Sequence, residues 1–127
     1  MKIKSLLMTA AVAGLSFSGY AQDDDKQLCM EKVSLLTNYV KQGNFADAMT
    51  FFDEAYSKCP SIHSSLYTQG EKTFVGLLKA EADQAKKDAL LDKFMGVYDS
   101  WIQYYGNQKK TPKYFLLGRK ANNYVKY

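Results

Sequence analysis

Histidine occurs once in these 127 residues, cysteine twice and proline twice. A structural zinc site needs four ligands and a catalytic one three, so Cys59 and His63 alone cannot build either. The single histidine also finds no nucleophile to activate: no serine stands in a strained elbow motif, and the two thiols are expected to pair with each other. Gly70-Glu71-Lys72-Thr73 resembles the end of a phosphate-binding loop, but the earlier glycine and the strand are missing and Glu71 would repel phosphate. The expectation is no metal, no cofactor and no enzymatic activity. Asp53 with Glu54, and Asp88 with Asp92, read as solvating charge on polar helix faces rather than as acid–base pairs.

Long apolar runs are also scarce, with one exception at the start. Met1-Lys2-Ile3-Lys4 is basic, Leu6 to Phe17 is mostly apolar, and Gly19-Tyr20-Ala21 offers small residues around a cut before Gln22. That order is a secretory signal, so residues 1–21 are predicted to be cleaved between Ala21 and Gln22, leaving 22–127 as the mature domain. The rival reading, a transmembrane helix over Ser5 to Gln22, is weakened by Thr9, Gly14, Ser16, Ser18 and Gly19. Asp25-Lys26-Gln27-Leu28 before Cys29 lacks the small residues that precede a lipid-modified cysteine. The expected location is the periplasm or beyond, and the protein is not expected to be integral to the membrane.

Acidic residues are absent after Asp99. Residues 22–106 hold 13 acids and 9 bases, whereas 107–127 hold six bases (Lys109, Lys110, Lys113, Arg119, Lys120, Lys126) and no acid. Export argues against nucleic acid as the partner of this charge. An acidic partner surface or the chain's own body answers it better, and the second case makes a homo-oligomer an open alternative.

What remains is helical. Asp23-Asp24-Asp25 favours a helix start, and Leu28, Val33, Leu35, Leu36, Tyr39 and Val40 recur at helical spacing, giving a first helix over about 26–42. Gly43-Asn44 turns the chain, and Phe45, Ala48, Met49, Phe52, Ala55 and Tyr56 mark a second helix stopped by Pro60. Cys29 opens the first and Cys59 closes the second, so an antiparallel hairpin brings the thiols together and predicts a disulfide in an oxidising compartment. Ser61 is expected to cap a third helix reaching Lys79, with Gly70 as its small position. Asp83 then caps a fourth over about 84–105, and Thr111-Pro112 opens a fifth over about 112–126. The ten tyrosines and Trp101 fall at helical spacing, which makes most of them packing residues rather than a sugar platform.

Leu35, Tyr39, Gly43, Phe45, Ala48, Phe52, Ala55 and Pro60 fall at the spacings of one 34-residue helix-turn-helix unit. On these residues the chain resembles a tetratricopeptide-repeat protein. Asn44-Phe45-Ala46-Asp47-Ala48, Ser57-Lys58-Cys59-Pro60, Tyr98 with Tyr104-Tyr105-Gly106, and Leu117-Gly118-Arg119-Lys120 resemble, more narrowly, exported repeat proteins of Bacteroidota-type bacteria. The resemblance implies an all-α fold, a right-handed stack of antiparallel helix pairs: units at about 26–60 and 61–106, then one terminal helix. It departs at Leu36, where the repeat usually has a small residue, and it lacks the lysine and asparagine clamp by which some members hold a terminal carboxylate.

A stack of this kind leaves a groove that holds protein segments. The groove-side residues are predicted to be Val33, Thr37, Val40 and Lys41, with Met30, on the first helix and Tyr67, Glu71 and Phe74 on the third. The expected function is an exported protein–protein interaction scaffold of the bacterial envelope, with an unidentified envelope or secreted protein as partner. Two alternatives stay open: the N-terminal part of a larger repeat protein or enzyme whose functional residues lie beyond residue 127, or a self-assembling structural element.

Overall fold

The computed structural model describes residues 24–127. The predicted signal segment, its cleavage site and Asp23 lie outside the described residues. Five helices account for the described fold, and no strand occurs among those residues. They are α1 (24–41), α2 (Phe45–Lys58), α3 (Ser65–Ala80), α4 (Gln84–Tyr105) and α5 (Lys113–Lys126). Each of α2, α3 and α4 packs on the next in sequence, as short connections require.

The first hairpin is closed from several directions. Gly43 supplies the one positive φ among the described residues, 74°, where the chain reverses. Asn44 then caps α2, its side-chain oxygen accepting from the Asp47 N–H at 3.3 Å. Cys29 and Cys59 lie at disulfide distance with their Cα atoms 6.3 Å apart. Lys32 pairs with Glu54 at 2.7 Å, and the rings of Tyr39 and Phe51 stack with centroids 5.2 Å apart.

Small residues admit large ones at the helix crossings. A Cβ added at Gly70 would stand 2.5 Å from Phe52 Cε2, so the Phe52 ring occupies the space that a side chain on α3 would take. Gly76 receives the Phe45 ring in the same way. Ala48 and Ala55 are fully buried beside Phe52. The aromatic core then runs Phe52–Phe74–Phe94–Tyr98–Trp101–Tyr67 through successive ring contacts of 4.8–5.9 Å.

Three expectations need correction. Leu35, read as a signature residue, is exposed, and Leu36 takes the buried position beside it. Helix α3 starts at Ser65, four residues after the expected Ser61 cap. The reason is local: Ile62 N–H bonds the Cys59 carbonyl, and the hydroxyls of Tyr67 and Tyr105 donate to the Pro60 and Ser61 carbonyls, holding 60–63 as a turn. His63 helps to open the helix instead, its Nδ1 accepting from the Ser65 N–H at 3.0 Å. Helix α5 starts at Lys113 with Pro112 as an extended cap, and Thr111 donates its hydroxyl to the Tyr105 carbonyl rather than capping α5. Asp83, by contrast, caps α4 as expected, accepting from the Lys86 N–H at 3.0 Å.

Candidate functional site

Two clefts lie between α1 and α3. The first, about 300 Å³, is lined by Met30, Val33, Ser34, Thr37 and Asn38 from α1, by Ser65 from α3, and by His63. The second, about 470 Å³, is lined by Val40 and Lys41 at the end of α1, by Phe45, and by Gln69, Lys72, Val75, Gly76 and Lys79 of α3. Residue numbers rise together along both walls. The two helices therefore climb side by side in the same direction, with about one unit of sequence between facing residues.

The five α1 residues assigned to the groove from sequence, Met30 among them, all line these clefts. The three assigned on α3 do not. Tyr67 and Phe74 have no exposed surface and belong to the aromatic core, and Glu71 is buried elsewhere. The error has a plain cause. Leu66, Tyr67, Phe74 and Leu78 form the one strongly apolar stripe of α3, and such a stripe goes to the core. The cleft takes the stripe Ser65, Gln69, Lys72, Gly76 and Lys79, which recurs at helical spacing on another face. Setting the apolar stripe aside first would have revealed it.

The two clefts differ in chemistry. The first is neutral and carries hydroxyl and amide groups, with the Thr37 hydroxyl already donating to the Val33 carbonyl at 2.9 Å. The second has an apolar floor of Val40, Phe45, Val75 and Gly76 and three lysines, with no acid in its lining. Lys41, Lys72 and Lys79 make no ion pair among the described residues. Three cations around an apolar floor focus positive potential into one cavity.

Glu71 has a different task. Its carboxylate accepts from the Tyr98 hydroxyl and, in a two-pronged arrangement, from the Arg119 guanidinium, whose Nε donates at 2.9 Å. Asn123 donates to the Tyr98 oxygen at 2.7 Å. Burial, then the bond to Glu71, holds the Tyr98 phenol well above the ordinary tyrosine value. Bonding to the carboxylate raises the Arg119 guanidinium further. Residues from α3, α4 and α5 thus meet in one polar latch.

No family model matches the chain, and comparison with curated proteins and with solved structures found no match. Among the described residues, no helix is long and apolar enough to cross a membrane.

Proposed function

We propose that this protein is an exported interaction scaffold of the bacterial envelope, built as a right-handed tetratricopeptide-like stack, that holds a segment of another envelope or secreted protein between α1 and α3. The observation that carries the reading is the lysine-rimmed cleft: Lys41, Lys72 and Lys79 around Val40, Phe45 and Val75. An apolar floor takes an apolar side chain, and cations unpaired among the described residues take flanking carboxylates, so the segment is acidic with an apolar anchor. The neutral cleft beside it, with Ser34, Asn38 and Ser65, suits the main chain of the same extended segment. The repeat spacing over 29–60, the shared direction of α1 and α3, the cysteine pair and the signal-like first residues support the same reading.

Lys72 and Lys79 are exposed, so reversing them leaves the core untouched. Fluorescence anisotropy with a peptide of alternating glutamate and leucine should show binding that weakens with salt and falls at least tenfold in Lys72→Glu/Lys79→Glu. A peptide with lysine in place of glutamate should not bind. Equal affinity of the original and reversed proteins for the acidic peptide would remove the cleft from the proposal.

A further inference from the structure

Helix α5 is inverted relative to α2, α3 and α4, which turn their apolar sides to the core. Its inward side is polar: beside Leu116, it sends Arg119 to Glu71, Lys120 to Asp99 and Asn123 to Tyr98. At about 100° per residue, Tyr114, Leu117, Gly118, Ala121, Tyr124 and Val125 share an arc of about 120° turned away from Leu116. All six are exposed, Tyr114 by 79%, Tyr124 by 61% and Val125 by 85%. An apolar arc of that width ordinarily belongs to the core. On α5 it faces solvent.

Cations border the arc on both sides. By the same helical geometry Lys113 stands at one edge beside Tyr124, and Lys126 lies past the other, beyond Gly118 and Asn122. Lys109 and Lys110 precede the helix. These four lysines are exposed, and none makes an ion pair among the described residues. Lys120 is not counted with them, because Asp99 holds it. One carboxylate opposes them: Asp92 of α4, unpaired among the described residues, lines the cleft beside Leu117 and Tyr124. Four lysines against one aspartate still leave this end positive, whereas residues 22–106 hold 13 acids and 9 bases. A second copy of the chain offers no counterpart, since its exposed Leu28 stands among Lys32 and Lys58.

We infer that α5 seats this protein on an anionic membrane surface, lying in the plane of the interface. An apolar arc between lysines matches the layering of such a surface: Leu117, Ala121 and Val125 meet the acyl chains, and the rings of Tyr114 and Tyr124 sit at the headgroup level. Lys109, Lys110, Lys113 and Lys126 reach the lipid phosphates, their stems covering the edges of the arc. With 14 residues, α5 falls short of the roughly 20 that a crossing needs, so it lies on the bilayer rather than through it. The same negative surface repels the acidic body, which fixes the orientation with the last helix down. One short helix and four cations, opposed by Asp92, give reversible binding that weakens with salt.

Tyr124→Trp puts an indole on the exposed arc, whereas Trp101 is buried, so lipid quenching reads α5 itself. Phosphatidylcholine vesicles with about 30% phosphatidylglycerol and brominated acyl chains should quench the new indole. The lipid needed for half the effect should rise at least tenfold when phosphatidylglycerol is omitted, or when salt goes from about 0.1 M to about 0.5 M. Adding Leu117→Ser/Val125→Ser should also raise it at least tenfold, as should Lys109→Gln/Lys110→Gln/Lys113→Gln, at about fivefold per lysine. These positions are all exposed, and circular dichroism should show unchanged helicity. Residues 1–21 are the same in every protein compared, so adsorption through them does not create these differences. An indole that brominated lipid leaves unquenched would overturn the proposal, as would equal quenching with and without phosphatidylglycerol. So would self-association of the lipid-free protein that Leu117→Ser/Val125→Ser abolishes, since the face would then belong to a protein contact.

Discussion

The first hairpin and the last helix both attach to the central pair α3 and α4, and different chemistry holds each. The hairpin contributes Val33, Leu36, Ala48, Phe52 and Ala55 to the buried core, fits Phe52 and Phe45 against two glycines of α3, and has its open end joined at Cys29 and Cys59. Helix α5 buries one residue, Leu116. The rest of its hold is polar: Arg119 on Glu71, Asn123 on Tyr98, and Lys120 on Asp99 at 2.7 Å. Apolar burial is non-directional and grows with area, whereas a buried carboxylate is costly unless all its partners are in place. The hairpin is thus secured by quantity and the last helix by alignment.

The largest expected effect lies on the hairpin side. A cross-link between positions 30 apart in sequence removes chain entropy from the unfolded state, so Cys29→Ala/Cys59→Ala should lose about 3 to 4 kcal/mol. Denaturant unfolding measures it. Hydrogen exchange should then accelerate in α1 and α2 before α5, and a loss under about 1 kcal/mol would show that the hairpin rests on packing alone.

How far sequence reached follows the same division. The hairpin was legible because its determinants are local or regularly spaced: Gly43, Asn44, the Ala48/Phe52/Ala55 stripe and the cysteines at its open end all bear on one another within about 30 residues. Cap chemistry at Asp83 was equally local. The latch was not legible, since Glu71 and Arg119 are 48 residues apart and nothing in the pattern of α3 distinguishes a buried glutamate from a groove residue. The start of α3 was misread for a related reason. Tyr67 and Tyr105, each committed to loop carbonyls, outweigh the local preference of Ser61 to cap. Half of the candidate cleft, its α1 wall, was visible; its lysine wall depended on knowing which stripe of α3 the core would claim.

The latch gives the next effect. Tyr98→Phe removes the hydroxyl that donates to Glu71 and accepts from Asn123, leaving a buried carboxylate short of one donor, which should cost about 1 to 3 kcal/mol. Its pH dependence identifies the cause. The Tyr98 phenol is raised by burial and then by Glu71, and that of Tyr67 by burial, so the folded state keeps protons that the unfolded state releases above about pH 10. Stability from this source is complete below that pH and falls as pH rises beyond it. Tyr98→Phe should make the alkaline decline shallower by about 1.4 kcal/mol per pH unit. An unchanged slope, measured by denaturant unfolding between pH 10 and pH 12, would mean that the buried tyrosine does not keep its proton in the folded state.

The smallest effect tests whether α5 is held as firmly as the hairpin. A Cβ at Gly70 meets Phe52, but one at Gly118 meets nothing within 4 Å, because α5 is packed along so little of its surface. Glycine in an open helix interior is less favourable than alanine by about 0.5 to 1 kcal/mol, so Gly118→Ala should stabilise by that amount. Where the gain appears decides the question. If α5 unfolds together with the rest, the whole increment shows in the global denaturation midpoint. If the polar latch releases first, the global midpoint stays fixed and only the amides of α5 exchange more slowly, by about two- to fivefold for that free energy. The second result is expected: a helix secured by alignment at Glu71 opens on its own, while one secured by core burial opens only when the protein does.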